Sequence, residues 1–150
     1  MDSTQITNEL ARLGEQLGIG ALAFDEQGIC SLAIDDGRWI VAIGHSAGEN
    51  SLRLMLCVDE RVPDERQAYR LLAANFAWQD SDGATFALAP GSGALIVQRN
   101  VSGDELGAGQ LPALLEALVA TAERWTAELG STPALESGAP ETNDWQGVRG

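Results

Sequence analysis

Lysine is missing from this 150-residue chain: all nine basic residues are arginine, against 22 acidic ones. The formal net charge is −13 and the pI is about 4.2. Without lysine there is no P-loop lysine and no Ser-Lys dyad. Nucleic-acid binding needs Lys and Arg to displace counterions from phosphates. DNA and RNA are therefore not expected partners, and an anionic membrane surface is disfavoured for the same reason. Histidine is almost as scarce, with His45 the one copy. The two cysteines, Cys30 and Cys57, sit in apolar runs at no metal-like spacing. They read as buried free thiols of a reducing cytosol. No apolar run approaches the ~18 residues of a membrane helix. Met1 to Glu9 has neither a basic start nor an apolar stretch, so no secretory leader is expected.

What is present suits one domain. The hydrophobic fraction is 45%, and a chain of this length buries about 68–70% of its unfolded surface. Such a core forms without a disulfide or a metal. Asp2, Ser3 and Thr4 offer helix caps. Ile6, Leu10, Leu13 and Leu17 recur on one helical face, and Gly18 is a terminator. Cys30, Leu32 and Ile34 alternate in "ICSLAID"; Asp36-Gly37 is a two-residue hairpin signal, and "RWIVAIG" is the return strand. Leu52, Leu54, Leu56 and Val58 alternate with Arg53, Met55 and Cys57, which gives a third strand. Pro63 fits a first helical turn, and Ala68, Leu71, Leu72, Asn75 and Phe76 continue that helix to near Trp78. "ATFALAP" and "GALIVQRNV" form a second hairpin across residues 90–93. Ser102-Gly103-Asp104-Glu105 has capping-box form, and an apolar stripe from Leu111 to Leu129 makes a last helix starting near 110. The order is α-βββ-α-ββ-α, an α+β domain over 1–130. Residues 131–150, rich in Ser, Thr, Pro, Gly and Glu, read as a tail in which Trp145 alone could dock.

One motif points elsewhere. Gly44-His45-Ser46-Ala47-Gly48 fits the G-x-S-x-G nucleophile elbow of serine hydrolases. An elbow needs a strand, a tight turn and a helix. Here the alternation from Leu52 to Val58 makes the next element a strand, so 44–51 becomes a connecting loop. The single histidine stands directly before the serine, where that hydrolase class places its base later in the chain. Gly91-Ser92-Gly93 lacks the helix and lysine of a phosphate loop. Asp35-Asp36 and Asp80/Asp82 read as solvated turns rather than a carboxylate pair or a calcium site. No enzyme activity, cofactor or metal is expected. A hydrolase using Ser46 is the alternative reading.

Several stretches resemble the class I type III secretion chaperones, the Tir chaperone family. "DEQGICSLAID" (25–35) is similar to that family's first strand with its acidic-Gly lead-in. "LRLMLCVDERVPDE" (52–65) is similar to its third strand running into the second helix, and "LLAANF" (71–76) to its Leu-Leu-x-x-Asn helix end. "DGATFALAPGSGALIVQRNV" (82–101) resembles its second hairpin, and "LLEALVATAERWTAEL" (114–129) its last helix. The resemblance spans roughly 3–130.

The resemblance implies an antiparallel twisted sheet with helices packed on it, in a homodimer of the bacterial cytoplasm. Such a protein holds the N-terminal segment of a secreted effector in extended form until export, without catalysis or nucleotide. It hands the effector to the secretion apparatus, whose ATPase is a further partner. Family analogy points to Tyr69, Leu72, Phe76, Trp78, Phe86 and Leu88 for the dimer. For the effector it points to Leu13, Leu17, Phe24, Ile29, Ile40 and Met55. A sheet with a free edge suits the role, because an extended client can pair with it.

Overall fold

The computed structural model describes residues 2–46 and 48–130. Helix α1 (Ser3–Gln16) opens with a reciprocal capping box: Asp2 accepts from the Gln5 N–H, and the Gln5 side chain accepts from the Asp2 N–H. Ile6, Leu10 and Leu13 form its buried stripe. The helix stops at Gly18, whose φ of 73° is left-handed. There the Ile19 N–H reaches the Gly14 carbonyl and the Gly18 N–H the Glu15 carbonyl, the paired bonds of a Schellman end.

Strands β1 (Ile29–Ile34), β2 (Trp39–Gly44) and β3 (Ser51–Asp59) follow. Asp36 and Gly37, with φ of 54° and 85°, are the central residues of the first turn, and the Arg38 N–H closes it on the Asp35 carbonyl. That geometry suits the right-handed twist of a hairpin. Helix α2 (Glu65–Ala74) is opened by a second capping box, Asp64 with Gln67. It ends earlier than its apolar spacing predicts: a 3-10 turn (Phe76–Trp78) follows, with left-handed φ at Ala77 and Trp78. Strands β4 (Thr85–Leu88) and β5 (Leu95–Ser102) form the second hairpin.

The Ser102–Glu105 capping box is present, but it starts a separate short helix, α3 (Gly103–Gly107). Helix α4 (Leu111–Gly130) begins after Gly109, where φ is 74°. The expected order therefore gains one short helix.

All strand pairs are antiparallel, in the order β1-β2-β3-β5-β4. One sheet face carries Leu32, Trp39, Val41, Ile43, Leu52, Leu54, Leu56, Phe86 and Val97, all buried. Helix α4 crosses it chiefly over β3 and β5, contributing Leu115, Leu118, Ala122 and Trp125. Burying apolar area at ~25 cal/mol per Å² makes this layer the main source of stability. The tail 131–150, including Trp145, lies outside the described residues. No described helix is long and apolar enough to cross a membrane.

Candidate binding surfaces on the sheet and second helix

Because side chains alternate along a strand, filling one sheet face leaves the other to solvent. The helices cover the first face. The second carries a cross-sheet row formed by Ala33, Ile40, Cys57, Ile96 and Ala87, with Ala33 paired to Ile40, and Ile96 to both Cys57 and Ala87. Ile40 is 52% exposed, a large aliphatic chain standing in water. The next row runs Ser31, Ala42, Met55, Gln98 and Thr85 through successive pairs. Ile29 lies one row further on, partly buried and paired with Gly44.

The effector-binding candidates therefore divide. Ile40, Met55 and Ile29 share the open sheet face, with Met55 and Ile29 half-buried. Leu17 is exposed at the end of α1, beside exposed Ile19. Phe24 is half-buried against the core, its ring 5.6 Å from that of His45. Leu13 is in the core, with only 1% of its surface exposed. It continues the buried stripe of Ile6 and Leu10, whereas Leu17 sits at the C-cap where that stripe leaves the core.

The dimer candidates divide as well. Tyr69, Leu72 and Phe76 follow at spacings of three and four along α2 and its end, all exposed; Phe76 is 80% exposed. Trp78 and Leu88 are exposed close by in the chain and on the strand that follows. Trp78 donates its indole N–H to Thr85 Oγ1 at 3.0 Å. Phe86 is buried instead, with its ring edge-to-face against Trp125 at 5.2 Å. Exposed apolar clusters of this kind mark interaction surfaces. Two adjacent non-glycine residues held at left-handed φ, Ala77 and Trp78, store strain at the same place.

The serine motif occupies a connector. Gly44 ends β2 and Ser51 begins β3, so strand, loop and strand replace the strand-turn-helix of an elbow. His45 Nε2 contacts the Glu49 carbonyl at 3.1 Å. The imidazole thus braces its own loop.

Sequence reasoning missed the residue that joins the two regions. Asn75 binds the backbone of β4 with both ends of its carboxamide: the Phe86 N–H donates to Oδ1 at 2.8 Å, and Nδ2 donates to the Phe86 carbonyl at 3.1 Å. The signal available was an asparagine at a helix end, a residue type fit for caps and turns.

Known proteins show the same arrangement. The ExsC–ExsE complex is similar at 24% identity, covering 86% of this chain and 97% of that chain, with a TM-score of 0.74. The HopA1–SchA chaperone–effector complex follows at 18% identity, covering 85% and 98%, with a TM-score of 0.70. The Yersinia pestis type III secretion chaperone SycH, in complex with a stable fragment of YscM2, gives 19% identity, covering 79% and 98%, with a TM-score of 0.63. These likenesses establish the fold. No curated protein matches the chain. The Tir chaperone protein (CesT) family profile matches residues 8–126, and the chain belongs to that family.

Proposed function

We propose that this protein is a type III secretion chaperone of the bacterial cytoplasm, a binding module and not an enzyme. As a homodimer it holds the N-terminal region of a secreted effector in extended form, keeps it soluble, and delivers it to the secretion apparatus. Family membership supplies the class. One similar structure is a chaperone–effector complex by name, and another is a type III secretion chaperone holding a fragment of a second protein, which supports an effector as the partner.

The observation that carries the mechanism is the uncovered side of the sheet. The Ile29 N–H and carbonyl are taken by Asp25, through its carboxylate and its backbone N–H, on the side away from β2. Backbone groups on a strand alternate in direction with period two, so Ser31 and Ala33 point theirs to the same outer edge. Among the described residues nothing bonds that edge beyond Ile29. A client strand joining there gains main-chain hydrogen bonds, and its side chains meet Ile40 and Ile29 on the open face. Backbone pairing supplies affinity with little sequence demand, while the apolar rows select aliphatic clients. The client loses conformational entropy on binding, so a broad wrapped surface is required. The acidic surface keeps a protein with so much exposed apolar area soluble.

The homodimer is assigned to the cluster of Tyr69, Leu72, Phe76, Trp78 and Leu88. Aromatic residues at the centre of a patch are the usual anchors of an interface. Light scattering is expected to give about twice 15.8 kDa. Co-purification from the native host tests client binding. Wild type recovers a secreted protein through its N-terminal region, and Ile40→Asp loses it. Equal recovery by Ile40→Asp, or a strict monomer, counts against this reading.

A further inference from the structure

The two edges of the sheet are treated differently. At β1 the outer groups of Ser31 and Ala33 face away from the sheet. At β4 the outer groups belong to Phe86 and Leu88, because both groups of Phe86 reach Asn75 and the alternation repeats every second residue. A carboxamide has one acceptor and one donor group, the same pair that an opposing strand residue presents. Asn75 thus stands in for a neighbouring strand at one position. Trp78 fastens the same connection to Thr85 one residue earlier. With Phe86 taken, only Leu88 of this four-residue strand has free outward groups.

An unprotected edge at each end of a sheet has a specific hazard. The β1 edge of one copy can pair with the β4 edge of the next. That contact is head-to-tail, and where its rotation does not close into a ring it grows without limit. Natural sheets block such growth at their edges. Charge does not block it here, because β4 is Thr85, Phe86, Ala87 and Leu88, with no charged side chain among them.

We infer that Asn75 is a strand surrogate that closes the β4 edge, so that extended polypeptide joins the sheet only along β1 and copies of the protein cannot chain edge to edge. The inference rests on β1 being the client edge, as proposed above. It makes Asn75 a positioning residue for client docking, and assigns one client strand to each sheet.

The test uses the full chain. In wild type, the Phe86 amide exchanges as slowly as the β5 amides although it lies at an edge. In Asn75→Ala it exchanges at least about tenfold faster, as expected for the loss of one such bond. The mass of wild type by light scattering reaches a plateau with concentration, while that of Asn75→Ala keeps climbing. Ala33→Pro removes only an outward-facing donor, which edge strands tolerate. Added to Asn75→Ala, it restores the plateau. Asn75→Asp keeps the acceptor for the Phe86 N–H and puts a charge on the edge, so it holds the plateau. A fast-exchanging Phe86 amide in wild type overturns the assignment. So does a plateau for folded Asn75→Ala, growth that persists in the double variant, or growth of Asn75→Asp. Ala33→Pro alone separates the two ideas. If it leaves client capture intact, β1 is not the client edge, while the self-association results still decide the role of Asn75.

Discussion

Phe86 of β4 and Trp125 of α4 meet edge to face with ring centroids 5.2 Å apart, and both are buried. This contact ties the β4 edge of the sheet to the last helix. Phe86 belongs to the core, while Phe76, ten residues earlier, stands in solvent. Phe86→Ala is expected to lower unfolding stability by about 3–5 kcal/mol. Phe76→Ala should change monomer stability by less than about 0.5 kcal/mol and weaken self-association. Leu13→Ala and Leu17→Ala divide the same way, with the large loss at Leu13. Urea unfolding and light scattering on all four variants check the division.

Gly14 gives α1 its close approach to the chain that leaves it. A methyl group there would overlap the Gly20 carbonyl oxygen and stand 2.9 Å from both Leu22 Cγ and Leu22 N. Replacing a helical glycine by alanine normally gains up to ~1 kcal/mol. Here overpacking of about 1–3 kcal/mol opposes it, and backbone cannot yield as a flexible side chain does. Gly14→Ala is expected to be net destabilising in thermal unfolding. A gain in stability would show that the crossing at 20–22 relaxes freely.

Glu105 carries a pH dependence. Its carboxyl lies below the usual carboxylate range, held there first by the Ser102 N–H at 2.9 Å, then by the Ser102 hydroxyl and Arg99. A pKa lowered on folding stabilises the fold above the unfolded value of about 4.3. That contribution is lost as pH falls through the folded value. Glu105→Gln keeps an acceptor for the Ser102 N–H and loses the charge beside Arg99. At neutral pH it should cost a few tenths of a kcal/mol, and the difference should vanish in acid. Urea midpoints at the two pH values measure this.

Cys57 is exposed on the open sheet face and Cys30 is buried. The Cys57 thiol is pushed up by burial of its sulfur and then by the charges of Glu60 and Asp59. Since the thiolate is the reactive form, maleimide should label Cys57 alone in the native state. The rate should rise with pH through and beyond the ordinary thiol range. Cys30 should label only on unfolding. Bound client should slow Cys57, because the client covers its face. Equal labelling of both cysteines would contradict the placement of β1 and β3.

Period and punctuation made most of the fold legible. Strict alternation at 52–58 marked β3, Asp36-Gly37 marked the turn between β1 and β2, and the Ile6-Leu10-Leu13 stripe marked α1. Two things were not legible. The first is which apolar residue of a periodic stripe is covered. Leu13 and Leu17 have equal claims by spacing, and only the position of the helix end relative to the core separates them. Phe86 and Leu88 share strand parity, yet Trp125 covers only the first. The second is long-range polar pairing. Asn75 reads as a helix terminator, and nothing local shows that its carboxamide reaches the backbone of β4. The Asp64–Gln67 capping box was readable by the same spacing rule as Ser102–Glu105, but Pro63 drew the helix start two residues early.

Protease protection of the native complex tests the central claim most directly. The protein is captured from its own host, digested with its bound client, and the surviving client fragment is identified by mass spectrometry. A fragment from near the N-terminus of a secreted protein, lacking its folded domains and shielded only while the chaperone is present, is the predicted result. Survival of a compact folded domain, or no shielding of any polypeptide, would contradict it.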